Sequence, residues 1–184
     1  MKKTLLAPAL ALAALSAHAA GFGLTSPDIK ANSTMDPKFE ANVFGCKGEN
    51  KSPALKWSGA PKDTKSFAVT VYDPDAPTGS GFWHWFVINI PATTTELPAN
   101  AGAVGGANLP KGATNVRIDY GFAGWGGACP PQGDKPHRYI FTVYALKTDK
   151  LEIPADATAA VAGFMTNMNA IGKASFTAKY GRAK

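Results

Sequence analysis

Apolar and polar positions alternate with period two along several stretches of this chain, which predicts strands. Ser66 to Tyr72 and Trp83 to Ile90 are rich in β-branched and aromatic residues and make the strongest expected pair. Alternation in the second puts His84, Phe86, Ile88 and Ile90 on one face and Trp83, Trp85, Val87 and Asn89 on the other. Thr114 to Tyr120 and Arg138 to Leu146 read as further strands, and Lys173 to Tyr180 as a last one with one wet face. Shorter strands are expected at Phe22 to Thr25 and Ser52 to Trp57, with Trp57 in the core. The period changes to a helical one near the C-terminus, where Val161, Phe164, Met165, Met168 and Ile171 recur at helical spacing. Asp156 is the expected N-cap and Gly172 the stop, with that apolar stripe laid on the sheet.

Two loops break the pattern and carry the candidate chemistry. Asp73-Pro74-Asp75-Ala76-Pro77 stands at the end of one strand, its backbone stiffened by two prolines, and His84 opens the next strand beside it. The run Gly124-Trp125-Gly126-Gly127-Ala128-Cys129-Pro130-Pro131 is too rich in Gly and Pro for a helix or a central strand. It leads into His137-Arg138-Tyr139 at the start of another strand. A carboxylate, imidazoles and a phenol held by rigid loops among aromatics make a few polar groups in apolar walls, the usual build of a ligand pocket. The Ala-, Gly- and Asn-rich connection of residues 92–112 is expected to cover one side of it.

The two motifs together, Asp-Pro-Asp-Ala-Pro with His-Trp following and Gly-x-x-Gly-x-x-Pro-Pro ending in His-Arg-Tyr, closely resemble the phosphatidylethanolamine-binding protein family in its bacterial Raf-kinase-inhibitor-like branch. The resemblance runs from about Phe22 to Tyr180. It implies a mainly β, sandwich-like domain with a few peripheral helices, one of them near the C-terminus, and a small cavity for phosphate and similar anions. Carried over residue by residue, Asp73, His84, Pro131, His137 and Tyr139 would line that cavity, with Asp75, Pro77, Trp85 and Arg138 in support. The sequence departs from the family in the short loop before His84 and in Ala128-Cys129. The resemblance also leaves room for a homodimer.

The N-terminus changes the setting. Met1-Lys2-Lys3, the apolar run from Leu5 to Leu15 and the small-x-small Ala17-His18-Ala19 read as a signal peptide over residues 1–19, followed by one domain over residues 20–184. The apolar run is too short for the ~20 residues that a membrane-spanning helix needs. A periplasmic or secreted protein is therefore expected. Loss of Lys2 and Lys3 would lower the formal net charge from +6 to +4, a mild basic bias. With no run of Lys or Arg and no basic-aromatic stripe, nucleic acid is not an expected partner. In an oxidising compartment Cys46 and Cys129, the chain's two cysteines, most simply form a disulfide; the alternative is a nucleophilic Cys129 served by His137.

Donors for an anion are expected from His84, His137, Tyr139 and backbone amides before Pro130, with Asp73 orienting an imidazole. Arg138 is the alternative anion ligand, but an ion pair with Asp75 or Asp119 is the expected role. Zinc held by the two histidines and Asp73 is the rival chemistry, and hydrolysis lacks a nucleophile, since neither Ser58 nor Ser80 sits in a Gly-x-Ser-x-Gly turn. The reading is a non-catalytic binding protein for a phosphorylated anion or lipid head group, without cofactor or metal. The alternative is a protein-interaction module that inhibits a protease or other enzyme and works through rim residues such as Trp125.

Overall fold

The computed structural model describes residues 21–184, so the expected signal peptide lies outside them. Strands β1 (Gly23–Thr25), β2 (Leu55–Ser58) and β5 (Glu96–Leu97) form a small antiparallel sheet in the order β1-β2-β5. The larger sheet joins β6 (Thr114–Asn115), β4 (Phe82–Pro91), β3 (Ser66–Asp73), β7 (His137–Leu146) and β8 (Ala170–Tyr180), all antiparallel, in the order β6-β4-β3-β7-β8. Phe67, Val69 and Val71 of β3, with Phe141 and Val143 of β7, pack against Leu24, Leu55, Trp57 and Leu97 of the small sheet, which is the sandwich core. On the other face Ala68, Phe86 and Ile88 pack against Val116, Leu151 and helix α1 (Ala159–Asn169). The fold is the mainly β sandwich expected, and a single turn of 3-10 helix at Pro37–Phe39 is the only other helix among the described residues.

The long strands fall within a few residues of where alternation put them, but the face assignment of β4 does not hold along its length. Val71 pairs with Trp85 while Tyr72 pairs with Trp83, so His84 has no cross-strand partner and sits in a bulge. A second irregularity lies between the Val69–Val87 and Phe67–Ile90 pairs, where Asn89 takes a left-handed φ of 59°. A bulge shifts the period by one residue and re-aims the side chain at it. His84 therefore leaves the face of Phe86 and Ile88, and Ile90 joins the face of Trp85 and Val87. The Asn89 amide turns this irregularity into an anchor: it accepts from Leu151 N at 2.7 Å and donates to Leu151 O at 3.3 Å.

Helix α1 departs furthest from expectation. Its cap is Thr158, whose hydroxyl accepts from Val161 N at 3.3 Å, and residues 154–157 form a turn instead of the first helical turn. The chain passes straight from Asn169 into β8 without a glycine stop. The buried side is Ala159, Ala162, Gly163 and Thr166, whereas Val161, Phe164 and Met168 are 46%, 64% and 62% exposed. The cause is close approach: a Cβ on Gly163 would lie 3.6 Å from the Trp83 ring and 3.9 Å from that of Phe86. Only small residues fit between the helix axis and those rings, so the large apolar residues turn outward.

Candidate functional site

The site lies where β3 and β7 present their ends on the same face of the large sheet. Asp73 is the last residue of β3 and His137 the first of β7, and both are buried. The Asp73 carboxylate is divided between two duties. Oδ1 accepts from Asp75 N at 2.8 Å, a local turn that continues the strand end into the proline loop. Oδ2 accepts from His137 Nδ1 at 2.8 Å, which fixes the imidazole with its proton on Nδ1. The other ring nitrogen, Nε2, lies 3.6 Å from Oδ2 of Asp134, so an anion that reaches it must displace that carboxylate.

The turn back to β4 depends on Gly81, whose φ is +69°. A Cβ there would lie 2.1 Å from the Tyr72 hydroxyl and 2.7 Å from Asp73 O. That contact region is kept by Tyr72 Oη donating to Ser80 O at 2.7 Å. Beyond the turn, the bulge brings His84 over the cavity, with its ring 5.0 Å from that of Tyr139 in an edge-to-face arrangement. Nδ1 of His84 lies 2.7 Å from Gly126 O and 3.2 Å from Gly127 O. A carbonyl can only accept, so Nδ1 carries the proton. Burial, the largest influence on this ring, lowers its pKa and keeps it neutral; the Gly126 carbonyl and the Asp73 charge act the other way.

The glycine loop thus serves the site through its carbonyls. Its amides are committed elsewhere: Gly126 N to His84 O, Gly127 N to Asn50 Oδ1 and Ala128 N to Phe39 O. The three amides from Gly126 to Ala128 are therefore not available as anion donors. Gly127 has no room for a side chain, since a Cβ would lie 2.4 Å from Ala41 N and 2.5 Å from Phe39 O. The next residue along, Cys129, is bonded to Cys46 with Cα atoms 5.9 Å apart, which settles the fate of both cysteines. Arg182 then braces the wall from the C-terminal tail, its Nε donating to Pro130 O at 2.7 Å.

These pieces enclose a cavity of about 220 Å³, and Asp73, His84, Pro131, His137 and Tyr139 all line it. Pro77 lines it too, but the other supporting residues do not. Trp85 is fully buried behind the site, with Nε1 donating to Asn115 Oδ1 at 3.0 Å. Arg138 and Asp75 form a two-pronged pair outside the cavity, Nε to Oδ2 at 2.9 Å and Nη2 to Oδ1 at 2.7 Å. That pair holds the Asp75 pKa down to about 2, chiefly through the side-chain hydrogen bond. Asp119 instead accepts from Trp83 N at 2.7 Å.

The rim differs from the expected one in two respects. Residues 92–112 do not border the cavity, and Trp125 is buried in the core, stacked on Phe141 at 6.3 Å. The rim aromatic is Phe44, 76% exposed and stacked on Tyr120 at 5.7 Å. Phe44, Thr78, Phe82 and Tyr120 complete the lining; they come from three separate segments, and no residue pattern in the sequence marks them as cavity residues. Among the described residues no group of three or more His, Cys, Asp or Glu side chains converges as a metal site would need.

Accounting for the polar groups on the wall leaves three without a hydrogen bond among the described residues, one of them His137 Nε2, which faces Asp134 Oδ2 at 3.6 Å. Tyr120 Oη donates to Gly127 O at 2.7 Å, Thr78 Oγ1 to Gly81 O at 2.5 Å, and both Asp73 oxygens are taken. The Tyr139 hydroxyl is buried with no partner, and His84 Nε2 makes no hydrogen bond within the described residues. Burial first, and the Asp73 charge second, raise the Tyr139 pKa far above its ordinary value, so it stays a neutral donor. Three other buried polar atoms lack partners, on Trp57, Trp125 and Thr166, but none of those residues borders the cavity.

The model of the phosphatidylethanolamine-binding protein family matches residues 8–181. The chain belongs to this family. Among its relatives, YbcL of Escherichia coli K12 is 53% identical over 180 residues, covering 98% of each chain. YbhB of the same organism is 43% identical over 157 residues, covering 85% of this chain and 98% of its own. The crystal structure of E. coli YbcL superposes with a TM-score of 0.86 at 54% identity, covering 88% of this chain and 99% of that one. Membership of the phosphatidylethanolamine-binding protein family thus rests on sequence and fold together. No helix among the described residues is long and apolar enough to cross a membrane.

Proposed function

We propose that this protein binds a small phosphorylated anion, free or as a lipid head group, in the cavity at the ends of β3 and β7, and that it works outside the cytoplasm without catalysing a reaction. One observation carries the reading: the buried Tyr139 hydroxyl on the cavity wall has no partner. An unpaired buried donor costs about 1–3 kcal/mol, a cost that a ligand oxygen would remove. The state of the wall's thiol and aliphatic hydroxyl supports a binding role, because Cys129 is oxidised and the Thr78 hydroxyl is held by Gly81 O. Export is supported by the disulfide and by the leader-like composition of residues 1–19. Calorimetric titration with inorganic phosphate and phosphoethanolamine tests the reading. Binding is expected to the native protein and to be lost in folded His137→Ala. Equal heats for both proteins would contradict it.

A second reading, an interaction module that inhibits another protein, is favoured by one feature, the 76% exposed Phe44 at the rim. It predicts that Phe44→Ala abolishes partner binding while phosphate binding persists.

A further inference from the structure

Two of the cavity's unpartnered polar groups, with no protein charge against them at contact distance, are of opposite kind. The Tyr139 hydroxyl can donate. His84, with its Nδ1 proton given to Gly126 O, presents an acceptor at Nε2. Their rings are 5.0 Å apart edge to face, so one small ligand group can meet both. A fully deprotonated oxyanion could satisfy Tyr139 but would set its oxygen lone pairs against that of Nε2. A protonated oxyanion could satisfy both, one oxygen accepting from Tyr139 and its O–H donating to His84.

Resting on the anion-binding reading above, we infer that the cavity selects ligands that carry an acidic O–H, such as phosphate monoesters in their monoanionic form and hydrogen phosphates, over equally shaped anions that have no proton to give. The charges around His84 favour the same choice. From β3 the Asp73 carboxylate faces it, from the loop after β6 come Asp119 and Tyr120, and from β7 come Tyr139 and His137, the last with Asp134 on its far nitrogen. Arg138 is absorbed by Asp75, leaving Arg182 as the cation held against the cavity wall. A second negative charge on the ligand would face carboxylates without a matching cation, whereas a proton shared with Nε2 removes it. Burial keeps the His84 pKa below its ordinary value, so the acceptor persists at neutral pH.

The test compares methylphosphonate with methanesulfonate by calorimetry at about pH 6.5, with inorganic phosphate alongside. Methylphosphonate is then mainly a monoanion with one O–H; methanesulfonate has the same charge and tetrahedral shape but no proton. A hydrogen bond involving a charged group is worth enough to separate them by at least about 10-fold in affinity, with methylphosphonate the tighter. The margin is expected to shrink as pH rises and methylphosphonate loses its O–H. Tyr139→Phe, which removes a donor without orphaning any protein group, lowers both affinities and keeps their ratio. Equal affinities for the two methyl anions would overturn the inference and leave anion binding standing. Failure of both and of phosphate to bind would overturn the anion reading and the inference with it.

Discussion

The cavity end and the outer face of α1 are built on opposite rules. At the cavity nearly every polar group is committed to another part of the protein, and the segments that carry them are tied by the Cys46–Cys129 bond, the Asp73–His137 pair and Arg182. On α1 small residues are buried and Val161, Phe164 and Met168 stand in solvent. The first region is specified by directed contacts between distant residues, so single changes there should be expensive. The second is specified by what can fit over Trp83 and Phe86, so its large side chains should be nearly free to change.

The strongest way to break this contrast is to open the disulfide. It closes a separation of 83 residues, and the chain-entropy account puts the loss in Cys46→Ser with Cys129→Ser at about 4–5 kcal/mol. Urea unfolding measures it; a loss under about 1 kcal/mol would mean the cavity end does not depend on the cross-link. Next comes Asp73→Ala, which orphans buried His137 Nδ1 and Asp75 N and is expected to cost about 3–5 kcal/mol together with phosphate binding. On the helix, Ala162→Leu should cost about 1–3 kcal/mol by overpacking a fully buried position, seen as a lower melting temperature.

A smaller effect belongs to Asp75. Its folded pKa, about 2, lies below the ordinary carboxylate value, so its contribution is complete above about pH 4 and is lost as pH falls through 2. Native protein should therefore lose its advantage over Asp75→Asn across that window, and high salt should shrink it, because Arg138 is exposed. Smallest of all is Phe164→Ser, within about 0.5 kcal/mol of native. Were Phe164 part of the core, the same change would cost several kcal/mol, so a thermal melt decides which face of α1 is buried.

The same contrast explains what could be read from the sequence. Strands β3, β4, β7 and β8 were legible because alternating β-branched and aromatic residues leave few other options. The bulge at His84 was not, since one unpaired residue leaves no mark in composition, although it decides which face the imidazole takes. The spacing of Val161, Phe164 and Met168 signalled a helix correctly and its buried face wrongly, because periodicity cannot sense rings waiting on the sheet. At the site, Asp73, His84, Pro131, His137 and Tyr139 were visible as two motifs, and the structure brings them to one cavity. Phe44 and Tyr120 reach it, and Arg182 braces its wall through Pro130 O, by long-range folding alone.

The central claim is that this cavity receives an oxyanion between Tyr139 and His84. Crystals of the native protein soaked in phosphate test it most directly. The account predicts one phosphate in the cavity, with an oxygen at hydrogen-bond distance from Tyr139 Oη and another from His84 Nε2. A cavity empty of phosphate at saturating concentration, or phosphate held only on exposed lysines, would contradict it.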